Sequence, residues 1–216
     1  MDRLAYKLYY ERRMPHFQPA GATLFITFRL AGSLPKSVMN ALRIYAHHQE
    51  QAIARIPDPV ERTRLLDESQ RRIFGRWDRA LDTVKQGPFW LRQPEIAELV
   101  AGAIHARDGE HLDLLAYCLM ANHVHLVCTP LRDEKGQPLS LSKMMQSLKG
   151  YTAQEANKLL ERKGAFWQHE SFDHWVRDED ELNRVVWYTR NNPVRAGLID
   201  DETKWPWTYV REPLFS

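Results

Sequence analysis

The chain has 216 residues, of which 44% are hydrophobic and 27% charged, proportions that are ordinary for a folded protein with one sizeable core. Its net charge is +2, so composition alone gives little reason to expect a polyanionic partner. No apolar stretch predicts a signal peptide or a membrane span, and the two cysteines form no C-x-x-C pair. We therefore expect a cytoplasmic protein with reduced thiols.

The first half of the chain is predicted to be one strand followed by helices. β-branched and aromatic residues after Gly21 favour a strand at 24–30. Prolines, a Gly-Pro pair and the spacing of the apolar residues then predict helices at 35–55, 60–84 and 95–107.

The second half begins with a predicted hairpin. Two apolar strands at 112–120 and 123–129 are joined by Ala121-Asn122. A helix at 140–162, a short aromatic segment at 166–176 and a last helix at 179–191 follow. Pro193 disfavours helical geometry at the residue before it, so the last helix is expected to end there.

Two histidines alternate with a valine in the second hairpin strand. Successive side chains of a strand point to opposite faces, so His123 and His125 share one face. Neutral imidazoles on one face can hold a single metal ion. An isolated H-x-H pattern is more often two strand histidines that are exposed or hydrogen-bonded within the protein. The rest of the chain must therefore decide whether this pair binds a metal.

The last predicted helix carries a phenol and a carboxamide on one face. Tyr188 and Asn192 are four residues apart, which brings them to the same side of a helix. Taken alone, Tyr188 is interpreted as a core tyrosine and Asn192 as the C-cap before the proline.

Five stretches, in order along most of the chain, carry a family resemblance. They are Met14-Pro15-His16-Phe17, His123-Val124-His125, Ser147 to Ala153, Phe166-Trp167-Gln168 with Phe172-Asp173-His174, and Tyr188 to Leu198. The chain resembles the single-tyrosine HUH transposases, in particular the transposase-like proteins associated with bacterial repetitive extragenic palindromes (REP). One departure is Ala121, where many relatives have proline.

The resemblance implies a mechanism. Tyr188 corresponds to the nucleophile that forms a 5′-phosphotyrosine bond with DNA, and His123, His125 and Asn192 correspond to the metal ligands. The implied metal is Mg²⁺ or Mn²⁺, with Mn²⁺ favoured by the ligand types and zinc left open. Tyr151, on the preceding helix, is an alternative nucleophile.

The implied substrate is single-stranded DNA next to a hairpin, used in DNA transposition. The candidate DNA-binding residues are Arg12, Arg13, His16, Lys149 and Trp167. No membrane partner is expected, and the protein is expected to be a monomer or a homodimer.

The implied fold is α+β, with a ferredoxin-like HUH core in which helices cover one face of a small antiparallel sheet. We expect one domain over residues 1–216, with a helical insertion at about 35–84. Two other functions stay open: a catalytically inactive palindrome-binding protein, and a metal-dependent hydrolase that uses water as the nucleophile. Only the transposase would form a covalent protein–DNA adduct.

Overall fold

The computed structural model describes residues 21–134, 136–137 and 139–212, which contain a five-stranded antiparallel sheet. The strands are β1 (Leu24–Arg29), β2 (Leu112–Leu119), β3 (His123–Pro130), β4 (Phe172–Trp175) and β5 (Thr208–Val210). Their order across the sheet is β4-β1-β3-β2-β5, so β3 lies at the centre with a hydrogen-bonded neighbour on each side. The predicted hairpin of β2 and β3 is present.

Helices cover both faces of this sheet. The helices α3 (Pro94–His105) and α4 (Leu141–Leu159) pack with alternate strand residues in the main hydrophobic core. The strand residues of that core include Leu24, Ile26, Phe28, Val124 and Leu126. The last helix, α5 (Glu179–Arg195), lies against the other face, where Asn192 contacts His125. The expected α+β class is confirmed, but the expectation of helices on one face is wrong, because α5 covers the second.

A β-bulge in β2 keeps the apolar residues of that strand facing this core. The pairing of β2 with β3 shifts between Leu114 and Ala116, so Leu115 is the extra residue. Before the bulge the even-numbered Leu114 joins the main core, and after it the odd-numbered Tyr117 does. The bulge therefore keeps one face of the strand apolar, although the inward-facing positions change from even-numbered to odd-numbered residues.

The helix α5 does not end at Asn191, as the sequence predicts, but continues through Pro193. Proline costs a helix one backbone hydrogen bond, yet Pro193 is buried with the side of α5 that faces the sheet. The helix then ends in a Schellman motif, in which the N–H groups of Gly197 and Leu198 donate to the carbonyls of Val194 and Pro193. Gly197 has a φ of +69°, the left-handed conformation that this ending needs.

Residues 32–87 form a separate compact unit made of α1 (Lys36–Ala54) and α2 (Pro59–Thr83). Asp58 caps α2 by accepting a hydrogen bond from the backbone of Val60, and the Arg76 guanidinium lies over the Tyr45 ring. The description of the whole chain as one domain with an insertion here stays a prediction. Among the described helices, none is both long and apolar enough to span a bilayer.

Candidate active site

His123 and His125 lie on the central strand β3 and are fully buried. Each has neighbours in the adjacent strands, with Thr27 and Cys118 opposite His125 and Arg29 opposite His123. Because a central strand is hydrogen-bonded along both edges, its backbone holds the two imidazoles in fixed positions. The Nε2 atoms of the two rings are 3.1 Å apart.

A polar group holds the outer nitrogen of each imidazole. The Nδ1 of His123 is 2.7 Å from Asn122 Oδ1, and the Nδ1 of His125 is 2.8 Å from Thr27 Oγ1. When each Nδ1 donates its hydrogen to these oxygens, both Nε2 atoms carry lone pairs that face each other. In that tautomer the two lone pairs converge on one position, where a cation could bind both rings.

The helix α5 brings Tyr188 and Asn192 to these histidines. The Asn192 amide nitrogen is 2.9 Å from His125 Nε2. The Tyr188 ring meets the His125 ring edge-on, with 5.6 Å between their centroids. Phe25 stacks on His125 at 5.5 Å and meets Tyr188 edge-on at 5.9 Å. The residues that the sequence assigns to one site therefore lie together in space.

Asn192 is fully buried, and the structure gives no hydrogen-bond partner to its Oδ1 among the described residues. A buried amide oxygen without a partner is costly, so its position calls for an explanation. The helix cap is not that explanation, because Asn192 lies inside α5 and Ala196 occupies the C-cap position.

The donor set fits a divalent cation. Two ligands at right angles, each about 2.1 Å from an octahedral ion, are about 3.0 Å apart. The contacts of 3.1 Å and 2.9 Å around His125 Nε2 match that separation. Rotation of the Asn192 amide by half a turn exchanges its nitrogen and oxygen, which would direct Oδ1 toward the ion.

Two charged side chains of α5, Arg195 and Glu181, lie on either side of Tyr188 along the helix. The guanidinium carbon of Arg195 lies 4.3 Å from the centre of the Tyr188 ring. At the start of the helix, Glu181 contacts His174 of β4 at 2.9 Å and accepts a hydrogen bond from the backbone N–H of Arg177. Burial raises the pKa of Glu181, but these two contacts outweigh it and leave that pKa below its ordinary value.

Tyr151 and Lys149 lie on α4, which packs on the face of the sheet opposite the histidines. The Tyr151 side chain is 51% exposed and lines a groove of about 400 Å³ with Gly102 and Arg107. The Lys149 ammonium donates to the His169 carbonyl and the Ser171 hydroxyl. It thus holds the chain at residues 169–171.

Trp167 is a core residue. Its side chain is 6% exposed, its ring packs edge-on against Phe28 and Phe166, and its Nε1 donates to Thr152 Oγ1. A ring enclosed in this way offers no face to a nucleotide base, so we do not retain Trp167 as a stacking platform. Arg12, Arg13 and His16 lie outside the described residues.

The sequence interpretation missed Thr27 and Asn122, which orient the histidines. Asn122 could have been noticed because it directly precedes His123. Thr27 had no comparable signal, because only the pairing of β1 with β3 brings it opposite His125.

Known proteins resemble this chain at three levels. The family model described as IS200-like transposase matches residues 83–192, the segment that holds both histidines, Tyr188 and Asn192. A Haemophilus influenzae protein with the provisional name REP-associated tyrosine transposase is 21% identical over 101 residues, which are 44% of this chain and 57% of that protein. A solved REP-associated tyrosine transposase bound to a REP hairpin has 13% identity and a TM-score of 0.51, covering 91% of this chain and 81% of that one. The expected family is confirmed: the chain belongs to the IS200-like transposases.

Proposed function

We propose that this protein cuts and rejoins single-stranded DNA beside a hairpin through a covalent 5′-phosphotyrosine on Tyr188. One observation carries the proposal: a single face of α5 brings Tyr188 and Asn192 against His125, whose Nε2 lies 3.1 Å from that of His123. A nucleophile beside a set of metal-ligating atoms is the arrangement that phosphoryl transfer needs.

His123 Nε2, His125 Nε2 and Asn192 Oδ1 would hold the divalent cation, which we take to be Mg²⁺ or Mn²⁺. When bound, such an ion polarises the scissile phosphate and offsets its developing charge. The mixed imidazole and amide ligands favour Mn²⁺ over Mg²⁺ by type. Thr27 and Asn122 would keep both imidazoles in the tautomer that points Nε2 inward.

Tyr188 supplies the nucleophile. Its phenol oxygen attacks phosphorus, the bond from phosphorus to the 3′ oxygen breaks, and the tyrosine becomes joined to the 5′ side of the cut. The phenol loses a proton and the leaving oxygen gains one, which gives a 3′-hydroxyl. In the reverse reaction a 3′-hydroxyl attacks the phosphotyrosine, so strands rejoin without an external energy source.

The inference of a hairpin substrate comes from the similar proteins. The similar solved structure is of a transposase bound to a REP hairpin, and the similar curated protein is also named as REP-associated. We infer that this chain likewise acts on hairpin DNA in transposition. Lys149, Arg12, Arg13 and His16 stay candidates for phosphate or base contacts, and the cytoplasmic location and the monomeric or dimeric state stay predictions.

The test is covalent adduct formation with a labelled hairpin-flanked oligonucleotide in the presence of Mn²⁺. We expect a denaturation-resistant adduct with the native protein and none with Tyr188→Phe, which keeps the ring and removes only the attacking oxygen. Tyr151→Phe is the matched control and should still form the adduct, because α4 lies on the other face of the sheet.

Two further treatments separate the alternatives. The double change His123→Ala and His125→Ala, or excess chelator, should abolish the adduct while hairpin binding persists, because phosphate contacts elsewhere supply most of the affinity. Binding without any adduct by the native protein would favour the inactive palindrome-binding protein. Cleavage without an adduct would favour the hydrolase.

A further inference from the structure

We propose that Arg195 binds the non-bridging oxygens of the phosphate that Tyr188 attacks. This inference rests on the proposed function, and it assigns a phosphate-binding residue within the same site. Arg195 lies near the C-terminal end of α5, beyond the metal-ligand candidate Asn192.

The first argument is position. Arg195 follows Tyr188 by two turns, so both side chains project from the same face of the helix. Long side chains on a helix lean toward its N-terminus, which brings the guanidinium back over Tyr188. Its central carbon lies 4.3 Å from the Tyr188 ring centre. A phosphate within reach of the phenol oxygen would therefore also be within reach of this cation.

The second argument is that no acceptor among the described residues occupies the hydrogen-bonding edge of Arg195. The residue is exposed, and the described part of the chain gives it the Tyr188 ring as a partner but no carboxylate. Contact with a ring uses the flat face of a guanidinium and leaves its in-plane N–H groups for other acceptors. Those N–H groups match two oxygens of one phosphate.

Another arginine of α5 is used differently. The guanidinium of Arg190 lies 3.6 Å from Glu202 and 3.6 Å from Glu212, so acidic side chains already neutralise it. Arg190 thus carries the same charge on the same helix, but its guanidinium is already paired with carboxylates and is not available to a phosphate. It provides a matched control for the loss of one positive charge.

Chemically, Arg195 exchanges no proton. While the bond from Tyr188 to phosphorus forms and the bond to the 3′ oxygen breaks, negative charge grows on the oxygens of the reacting phosphate. A guanidinium already held over the ring can donate to those oxygens with little reorganisation. Its loss should therefore slow the chemical step more than it weakens DNA binding.

The experiment measures single-turnover adduct formation with saturating hairpin oligonucleotide and Mn²⁺, together with oligonucleotide affinity. We expect Arg195→Ala to lower the rate about 100-fold, as removal of one preorganised donor does. Its affinity should change by less than about threefold, since other phosphate contacts remain. Arg195→Lys should recover part of the rate, because it restores the charge but not the paired donors. Arg190→Ala should stay within about threefold of the native rate.

A substrate with one neutral methylphosphonate at the scissile position gives the specific readout. If Arg195 acts on the charged oxygens, the difference between the native protein and Arg195→Ala should shrink to within about threefold on this substrate. An undiminished difference, or an Arg195→Ala rate equal to the native rate on normal DNA, would overturn the role of Arg195 alone. No adduct with the native protein would overturn the proposed function, and this inference with it.

Discussion

At the scale of single residues, the site depends on hydrogen bonds to the outer nitrogens of its histidines. Thr27 Oγ1 and Asn122 Oδ1 lie 2.8 Å and 2.7 Å from the Nδ1 atoms of His125 and His123, and when both oxygens accept, the inward Nε2 atoms are left as acceptors 3.1 Å apart. In that tautomer the imidazole pair can hold a cation without rearrangement. Partners of this kind typically change metal affinity by about 10–100-fold.

Thr27→Val tests this arrangement, because valine has a similar shape and replaces the buried hydroxyl by a methyl group that cannot hydrogen-bond to His125. We expect Mn²⁺ affinity, measured by calorimetry on the free protein, to fall about tenfold. Thr23→Val is the matched control, since it removes a hydroxyl that contacts Thr129 away from the histidines. Equal Mn²⁺ affinity of the Thr27→Val and native proteins would show that the hydroxyl does not orient a ligand.

Asn192→Ala tests the third ligand. The variant removes a buried amide whose oxygen has no partner among the described residues, so we expect the Mn²⁺ concentration for half-maximal adduct formation to rise about tenfold. Asn191→Ala is the control, because its amide donates to the Trp187 carbonyl on the exposed side of α5. If both variants required the same Mn²⁺ concentration as the native protein, the ion would have two protein ligands and water.

At the scale of elements, local sequence signals predicted the strands and helices well and misjudged one boundary that matters. The rule that a helix stops before proline fails at Pro193, because burial of the sheet-facing side of α5 outweighs the lost hydrogen bond. The extra turn includes Arg195, whose contact with Tyr188 could not be foreseen from a helix expected to end at Asn191. The spacing of Tyr188 and Asn192 could be foreseen, since it depends only on helical geometry.

The end of α5 gives a stability prediction. Gly197→Ala puts a side chain into the left-handed conformation at φ +69° and should lower the free energy of unfolding by about 1 kcal/mol. Gly150→Ala, inside α4 where an added methyl group meets no atom within 4 Å, should instead raise it by about 0.5–1 kcal/mol. Denaturant unfolding of both variants would measure these changes. A change of the same sign in both free energies of unfolding would contradict the different backbone roles given to the two glycines.

At the scale of the whole molecule, the sequence grouped residues that lie close together in the structure, but it did not indicate how the sheet separates them from other candidates. Alternation in β3 assigned His123 and His125 to one face, yet nothing local indicated that α4 and α5 lie on opposite sides. That separation is a property of topology, and it leaves Tyr188 beside the histidines and Tyr151 away from them. Burial of Trp167 was equally invisible, because an aromatic residue near a glycine-ended helix looks the same whether it is packed or exposed.

The contact between β4 and α5 links the sheet to the helix that carries Tyr188 and makes stability depend on pH. The Glu181 carboxylate contacts His174 and accepts from the Arg177 backbone, and its pKa is held below the ordinary value of 4.5. A carboxylate with a lowered pKa stabilises the folded state fully above its unfolded pKa, and that contribution is lost as the pH falls through the folded pKa.

Glu181→Gln should therefore destabilise the protein at neutral pH and flatten the loss of unfolding free energy below about pH 5. Glu155→Gln, which removes an exposed pair with Lys158, should leave the native pH profile in place. Urea unfolding at a series of pH values would decide, and parallel profiles for native protein and Glu181→Gln would mean that this carboxylate does not secure α5.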